Sequence, residues 1–532
     1  MKKRTKGIIM FAFLGGIMLT SGIVIAIPNI APVETDENIT ITGTPADNYP
    51  DEQRDRFCGT GNAKSTSYIK EFKLPTVCAQ PHAIDTDPQG NIWIAESNTG
   101  NLAKFEPSTE TFVEFENPMW PEGANAAMWG LDYSPDGTFW YTDTRTDSIW
   151  KFSIEEEKFD RISYPSETES FPQQIKVDGS KIIVNDLHGG KITFLDLAQS
   201  SGQLTYFSLP SPLEGYLAAG FDLDANNNLW YTNWLPQQGG ILVKFDTEKY
   251  FDEFITIEES NDLPLGNFIE FYNFPPGMNT PNGLSVGPDG NIWIADTSSS
   301  NFFKFNPDDE SFTRYVTSPP PLSSYGNFTG VVKTPVSRPY WTAFADDGRL
   351  VFNEQTANRI ALFDTNNEHL VEYLAPSKNP AWADCSPVDT TCGLAQMFSF
   401  TTSGEKIWFT QWAENNIGFV DTSIPLPYEV DINENNITLR KGESTEIIMT
   451  VTPTGSSDMS DVSFVSSTTA TFSDLKVKSD VDKFQLDADA PRLIKISISA
   501  GQSALSGTHK VLLGIDANDV TVSKYITVKI IQ

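Results

Sequence analysis

Apolar and polar residues alternate in short runs along most of the chain after residue 68. The clearest runs are "PHAIDTDPQGNIWIAES", from Pro81, and "PNGLSVGPDGNIWIAD", from Pro281, where two alternating segments flank a turn rich in Gly, Asn or Asp. A period of two residues is typical of β-strands, and such turn residues favour tight hairpins. The pattern therefore predicts an all-β chain built from antiparallel hairpins.

The second strand of this phrase can be read seven times along the chain. Each copy ends in a polar side chain: Glu96, Asp143, Asp186, Asn233, Asp296, Glu354 and Gln411. Further strands follow each copy, and repeated four-stranded units are the signature of a β-propeller. We therefore predict a seven-bladed β-propeller over residues 58–424.

The fourth strands of the repeat indicate how the ring closes. Only six of them follow the seven copies, and a segment of the same type, "YIKEFKLP" at residues 68–75, precedes the first copy. A propeller whose N-terminal strand completes its last blade accounts for both observations. Such closure also removes an open sheet edge that would invite aggregation.

The regular repeat ends near residue 422, and the two ends of the chain have other compositions. Residues 425–532 alternate Thr, Ser, Val and Ile, which predicts an immunoglobulin-like β-sandwich. Residues 28–57, rich in Thr, Pro and acidic side chains, predict an extracellular linker. Residues 1–27 hold a basic start and then about twenty uncharged residues. This segment is either a signal peptide or a membrane anchor, and in both cases the body is exported.

Charge and cysteine content agree with an exported protein. The formal net charge of −33 argues against nucleic-acid binding, which needs a basic surface. Four cysteines, Cys58, Cys78, Cys385 and Cys392, fall into two local pairs, and an oxidising compartment permits disulfides. Three connectivities are possible, and proximity favours the local one.

The polar ends of the second strands are the first candidate site. All seven bear oxygen, and the carboxylates of Glu96, Asp143, Asp296 and Glu354 are ligands that Ca²⁺ or Mg²⁺ prefers. The alternative is that these side chains only satisfy loop amides and water around a wet channel.

The residues that open the first strands are the second candidate site, since they should lie beside the second-strand ends. We place seven residues there: His82, Trp129, Gln173, Ala219, Asn282, Trp341 and Met397. Trp129 and Trp341, with the amides of Asn233 and Asn282, could bind a small molecule, a glycan or a protein at an aromatic mouth.

The iterated phrase P-x-G-x-x-x-x-P-D-G-x-I-W-I-A-[ED] resembles the virginiamycin B lyase (streptogramin lyase) family over roughly residues 68–422. It is similar, more distantly, to the regucalcin and gluconolactonase propellers. The resemblance implies a Mg²⁺-dependent elimination that opens a cyclic depsipeptide at its ester. His82 and Glu96 match two residues of the family's catalytic set by position and spacing. Gln80 stands where an acidic residue is expected, and Met397 stands where a second histidine is expected.

Two functions follow from these observations. The first is a binding or scaffolding module at the cell surface, with a divalent cation as an optional component. The second is a metal-dependent lyase or lactone hydrolase that uses His82 and Glu96. The loss of two catalytic positions favours the first, because elimination needs both a base and a group that stabilises the developing charge.

Overall fold

The computed structural model describes residues 45–121, 123–165, 170–196, 205–256, 265–326, 335–385, 392–469 and 474–532. The predicted signal or anchor segment, residues 1–27, lies outside these ranges, as do residues 28–44 of the predicted linker. None of the helices in the described ranges is long and apolar enough to span a membrane.

The described part of the chain begins with a folded segment, and four antiparallel four-stranded units follow it. The opening segment contains a 3₁₀ turn (Pro45–Asn48), helix α1 (Asp51–Phe57) and strand β1 (Ile69–Lys73). Unit 1 contains β2 (Pro81–Thr86), β3 (Ile92–Glu96), β4 (Leu102–Glu106) and β5 (Thr111–Phe115). Unit 2 contains β6 (Leu131–Ser134), β7 (Thr138–Asp143), β8 (Ser148–Ser153) and β9 (Lys158–Ser163). Units 3 and 4 contain β10 (Pro172–Asp178), β11 (Lys181–Asp186), β12 (Lys191–Asp196), β13 (Thr205–Pro210), β14 (Leu217–Leu223), β15 (Asn228–Leu235), β16 (Gly239–Asp246) and β17 (Ile269–Asn273).

Three more units complete the repeat. Units 5 and 6 contain β18 (Pro281–Val286), β19 (Ile292–Asp296), β20 (Asn301–Asn306), β21 (Ser311–Val316), β22 (Pro339–Phe344), β23 (Leu350–Glu354), β24 (Arg359–Asp364) and β25 (His369–Leu374). Unit 7 contains β26 (Phe400–Ser403), β27 (Lys406–Gln411), β28 (Asn416–Asp421) and the N-terminal strand β1. Short helices lie in the connections: α2 (Thr247–Thr256), α3 (Leu322–Tyr325) and 3₁₀ turns at Leu265–Asn267 and Pro380–Trp382.

The first strands of the units surround a central channel. They contact one another in chain order, from β2 through β6, β10, β14, β18 and β22 to β26, which contacts β2 again. β1 pairs antiparallel with β28, from Ile69 opposite Val420 to Lys73 opposite Asn416. The β-propeller class and the closure by an N-terminal strand are confirmed. The count of seven blades stays a prediction, which this ring of first strands supports.

Tight turns build the units, and buried tryptophans complete the core of several of them. Gly90 and Gly290 have φ of +80° and +79°, which the predicted hairpin turns require of their glycines. Trp93 is fully buried in strand β3, and its indole N–H donates to the Asp87 carboxylate of the preceding turn at 2.9 Å. Trp230 repeats this bond. The turn aspartate therefore also satisfies the indole N–H of the tryptophan in the core.

The C-terminal region forms two further sheets. Its strands are β29 (Tyr428–Ile432), β30 (Asn436–Arg440), β31 (Ser444–Pro453), β32 (Met459–Thr468), β33 (Leu475–Ser479), β34 (Lys483–Leu486), β35 (Arg492–Ala500), β36 (Gly507–Ala517) and β37 (Val520–Ile531). One sheet has the order β29-β31-β35-β33, and the other contains β30, β37, β36, β32 and β34. Apolar side chains of both sheets share one core. The immunoglobulin-like class of this region stays a prediction.

The C-terminal region and the propeller share a continuous sheet. β37 pairs antiparallel with β25, so unit 6 continues into the second C-terminal sheet. The combined sheet, with the four strands of unit 6, has nine strands. The Lys510 ammonium lies 2.5 Å from the Glu368 carboxylate, and the Tyr525 hydroxyl donates to the Val316 carbonyl at 2.7 Å. The sequence predicts two successive domains and gives no indication of this joint.

Candidate functional site

The pairing of the first two strands places the predicted catalytic pair at one end of the channel. Pro81, at the start of β2, pairs with Glu96, at the end of β3. Pro281 and Asp296 pair in the same way in unit 5. We call this end of the channel the mouth.

His82 lies in an aromatic cage at the mouth. Its side chain packs edge-on against Trp129, with ring centroids 4.3 Å apart, and stacks on Phe398 at 5.1 Å. Nδ1 lies 3.1 Å from the Ser97 hydroxyl, and Nε2 is buried with no hydrogen-bond partner among the described residues. Only 3% of the residue is exposed, and this burial lowers the pKa of His82 to about 3. The imidazole is therefore neutral near pH 7.

The contact between His82 and Ser97 recurs in another unit without a histidine. Asn282 holds the position of His82 in β18, and its amide donates to the Thr297 hydroxyl at 2.9 Å. In both units the partner is the hydroxyl residue that follows the acidic end of the second strand. The bond is thus a feature of the repeat, and the histidine makes the contact that an asparagine makes elsewhere.

The Glu96 carboxylate makes its hydrogen bond within its own unit. It is fully buried, and its Oε2 accepts a hydrogen bond from the Thr99 hydroxyl at 2.6 Å. Burial and the nearby charge of Glu114 raise the pKa of Glu96 well above its usual value. Within the described part of the chain, no hydrogen bond joins Glu96 to His82. The structure places the two residues in one unit but does not couple them.

The carboxylates of Asp143 and Asp296 have the same local role. Asp143 accepts from the Trp150 indole N–H at 3.2 Å. Asp296 accepts from the Thr280 amide and from the Ser299 hydroxyl, each at 2.7 Å. Each carboxylate therefore stabilises the loops of its own unit.

Glu354, the fourth predicted cation ligand, belongs to a buried ion cluster. Arg359 Nη1 lies 3.7 Å from Glu354 and 3.5 Å from Glu372, and none of the three side chains is more than 3% exposed. Burial and the charge of Glu372 raise the pKa of Glu354 to about 8. No group of three His, Cys, Asp or Glu side chains that could hold a metal occurs in the described ranges. Each of the four carboxylates is held by contacts within its own unit, and the Ca²⁺ or Mg²⁺ site stays a prediction.

The structure corrects the predicted position of Trp341. Pro339 pairs with Glu354 as Pro81 pairs with Glu96, so Tyr340 is the counterpart of His82 in unit 6. The same register shift follows Pro81 in unit 1, so this bulge is a shared feature of the repeat. Tyr340 and Trp341 are adjacent aromatic residues, and only the strand register shows which of them lies at the mouth.

Met397 is also displaced by one residue, in the opposite direction along the chain. The Trp412 amide donates to the Gln396 carbonyl as the Ser97 amide donates to the Gln80 carbonyl, and both glutamines have positive φ, 57° and 59°. Two residues after Gln396 comes Phe398, which therefore corresponds to His82. No histidine occupies either position in unit 7.

Aromatic side chains fill the mouth. Trp129 stacks on Tyr340 and packs edge-on against Phe398, at centroid distances of 5.7 and 5.5 Å. Trp129 is only 6% exposed. Asn233, a predicted ligand residue, donates to the Leu217 carbonyl at 3.0 Å within its own unit. The mouth is therefore a packed layer, and the predicted ligand residues there are engaged with the protein itself.

A folded N-terminal segment covers this layer. We call residues 45–58 the cap. The Tyr49 hydroxyl lies 2.9 Å from Gln80 Oε1, which also accepts from Asn125 at 2.6 Å, and Gln80 Nε2 donates to the Phe57 carbonyl at 3.1 Å. The residue that replaces the family's expected acid thus holds the cap in place. The described part of the predicted linker is folded here.

The far end of the cap is held by aromatic contacts and a disulfide. Phe57 packs edge-on against Trp382 and Trp412, at 5.7 and 5.8 Å between centroids. Cys58 is bonded to Cys78, just before unit 1. The second disulfide joins Cys385 to Cys392, so both local pairings predicted from the sequence are present.

The opposite end of the channel holds polar residues that the sequence analysis missed. Asp85, Asp132 and Asp222 each accept a hydrogen bond from a backbone amide of the next first strand around the ring. We call this the acidic end. The signal was present: "AID", "GLD" and "GFD" each place an aspartate in an otherwise apolar first strand.

Comparisons with known proteins agree with the fold. No protein-family model matches the chain, and no curated protein matches it. Among solved structures it is similar to virginiamycin B lyase from Staphylococcus aureus, with 19% identity, 66% of this chain and 98% of that chain covered, and a TM-score of 0.48. It is similar to a streptogramin B lyase structure with 21% identity, 66% of this chain and 96% of that chain covered, and a TM-score of 0.49. It is also similar to the extracellular domain of the putative one-component system BT4673 from B. thetaiotaomicron. The identity is 14%, 89% of this chain and 60% of that chain are covered, and the TM-score is 0.40. At these identities the likeness concerns the fold alone, and the β-propeller assignment rests on the strand order above.

Proposed function

We propose that the chain is an exported β-propeller that acts as a binding or scaffolding module and does not catalyse elimination at His82. The observation that carries the proposal is the cap. Tyr49 and Asn125 meet at Gln80, two residues before His82. Phe57 of the cap packs on Trp412, which packs on Phe398 of the aromatic layer beside His82. A cyclic depsipeptide would have to displace both layers to reach the imidazole.

The chemistry of the pair supports the same conclusion. A general base works best when its pKa lies near the working pH, and burial lowers the pKa of His82 to about 3. Burial raises the pKa of Glu96 well above its usual value, which favours the protonated carboxyl, a poorer ligand for a cation than the carboxylate. Gln80, at the expected acidic position, carries no charge and is bonded to the cap.

Export is proposed on separate grounds. The two disulfides suit an oxidising compartment, and the sequence of residues 1–27 predicts a signal or anchor. The net charge of −33 disfavours nucleic-acid partners. A small molecule, a glycan or a protein outside the cell remains as the class of partner.

The test is an assay of the purified protein against streptogramin B-type depsipeptides and aldonolactones with added Mg²⁺, beside His82→Ala. We expect no turnover above the uncatalysed rate from either protein. Turnover by the wild type that disappears in His82→Ala would establish the lyase or lactonase function instead. Equal turnover in both proteins would also overturn a purely binding role, and it would place the chemistry away from His82.

A further inference from the structure

A cavity lies in the channel on the acidic side of the aromatic layer. Its volume is about 350 Å³, within the range of small-molecule pockets. Five of the first strands contribute to its wall: β2, β6, β10, β22 and β26. The cavity is thus a feature of the ring itself.

The cavity combines apolar walls with two carboxylates, and Lys176 also lines it. Trp129 and Trp341 line it, and Leu131 and Phe400 add further apolar surface. Asp85 and Asp132 lie on neighbouring strands and are partly exposed in the channel, whereas the four carboxylates at the mouth are fully buried. Trp341, which the sequence placed in a ligand site at the mouth, therefore lines a cavity on the other side of the aromatic layer.

The charges around this cavity are not balanced by the protein. Lys176 is paired with Asp222, while Asp85 accepts from the Tyr133 amide at 3.0 Å and the Thr401 hydroxyl at 3.2 Å. Asp85, Asp132, Asp222 and Lys176 together carry three negative charges and one positive charge when all are ionised. Asp87 and Asp178, on the neighbouring turns, add negative charge.

The pKa values of Asp85 and Asp132 reflect this excess of negative charge. Burial and the charge of Asp85 raise the pKa of Asp132 to about 8, and burial, with a contribution from Asp87, raises the pKa of Asp85 to about 6. A positive charge between the two carboxylates would favour their ionised forms.

The wall chemistry distinguishes an organic cation from a metal ion. Ca²⁺ takes six to eight oxygen ligands, and only two carboxylates line this cavity. Aromatic faces beside carboxylates are instead the usual surroundings of a bound ammonium group. Trp129 lines the cavity, and its indole N–H is buried without a hydrogen-bond partner in the described ranges.

We propose that the acidic end binds a small organic cation, a primary or alkylated ammonium with an apolar or aromatic body, between Asp85 and Asp132 and against Trp129 and Trp341. The ligand enters from the channel end opposite the cap. The inference rests on the proposed binding role and gives it a site and a ligand class.

The first test needs no variant. Calorimetric titration of the purified protein compares phenethylamine with 2-phenylethanol, which has the same body without the charge, at pH 5.5 and pH 8.5. We expect the amine to bind about tenfold more tightly at the higher pH, because the carboxylates ionise over this range while the amine stays protonated. The alcohol should show no such dependence. Absence of amine binding at both pH values, or equal binding of amine and alcohol, overturns the proposal.

The second test assigns the site. Asp132→Asn keeps an acceptor for the Val177 amide and removes the charge, so it should weaken amine binding at pH 8.5 about tenfold. Asp289→Asn, at an exposed turn, is the matched control and should bind as the wild type does. Unchanged amine binding in Asp132→Asn contradicts the site. The site is also contradicted if the wild type gives binding heat with Ca²⁺ or Mg²⁺ but none with the amine, and Asp132→Asn abolishes the heat of the metal ion. If the amine does not bind as predicted and the wild type shows no depsipeptide turnover, only this site is refuted. If the wild type turns over depsipeptide and His82→Ala does not, the proposed function is refuted.

Discussion

The two ends of the channel use similar residues for opposite purposes. At the mouth, His82 and the second-strand carboxylates are buried, bonded to their own units and covered by the cap. At the acidic end, Asp85 and Asp132 join neighbouring first strands but keep part of their surface in a cavity. The end that matches a known enzyme family is closed, and the end without that match has the chemistry for a ligand.

This difference shows how far a residue match can be taken. His82 and Glu96 stand at the family's positions, yet their contacts with Ser97 and Thr99 are local contacts of the repeat. Position in a repeated unit fixes where a side chain lies. The partners around it decide whether it can react.

The buried ion cluster near the mouth offers the largest expected effect. Arg359→Met leaves Glu354 and Glu372 buried without their cation, which should lower the free energy of unfolding by about 3–5 kcal/mol. Urea unfolding at pH 7.5 measures it. The control is Arg349→Met, which breaks the exposed pair with Asp347 and should cost less than about 1 kcal/mol. Equal losses would show that the mouth carboxylates are not held as described.

Opening the cap should have the next largest effect. Replacing Cys58 and Cys78 by serine removes a cross-link over 20 residues and should cost about 3 kcal/mol. The double variant should also make His82 more reactive toward diethylpyrocarbonate, measured by peptide mass spectrometry. The control pair, Cys385 and Cys392, packs in the same apolar cluster as the cap but does not link the cap to unit 1. It closes a loop of only 7 residues, and its removal should leave His82 less reactive than in the cap variant. Equal reactivity of His82 in wild type and cap variant contradicts the covering role of the cap.

The pH dependence of stability should have opposite signs at the two ends. At the mouth, the folded pKa of His82, about 3, lies below the unfolded value of about 6.5. Its contribution is present above pH 6.5 and is lost as the pH falls toward 3. Relative to His82→Gln, the wild type should lose on the order of 1 kcal/mol per pH unit between pH 6 and pH 4. A difference that stays constant over this range would mean that His82 is accessible to solvent.

At the acidic end the folded pKa of Asp132, about 8, lies above the unfolded value of about 4. Its contribution is therefore complete below pH 4 and is lost as the pH rises toward 8. The wild type should lose stability relative to Asp132→Asn over this range, by up to about 1 kcal/mol per pH unit, because partial exposure to water reduces the effect. Chemical unfolding at pH 4.5, 6 and 7.5 measures it, and a slope of the opposite sign would contradict the assigned environment.

The sequence predicts the strands better than it predicts the contacts between distant segments. Turn glycines such as Gly90 and the alternation around Trp93 act locally, so the repeat and the closing strand can be read directly. The cap resembles a linker because Tyr49 and Phe57 are stabilised by residues far along the chain, including Asn125 and Trp382.

The remaining errors also have physical causes. Tyr340 and Trp341 are adjacent aromatic residues, so composition does not show which of them lies at the mouth in unit 6, whereas the strand register does. β25 and β37 pair through backbone groups, which leave no mark on the side-chain pattern. Asp132 was overlooked because one aspartate in a short strand resembles a surface residue until its neighbours around the ring are known.

A crystal structure of the protein soaked in para-iodophenethylamine at pH 8.5 tests the central contrast most directly, since anomalous scattering from iodine locates the ligand. We predict a single site in the channel, with the ammonium between Asp85 and Asp132, the ring against Trp129 or Trp341, and the cap in place. Iodine beside His82 with the cap displaced would contradict the account, because the mouth would then be the binding end.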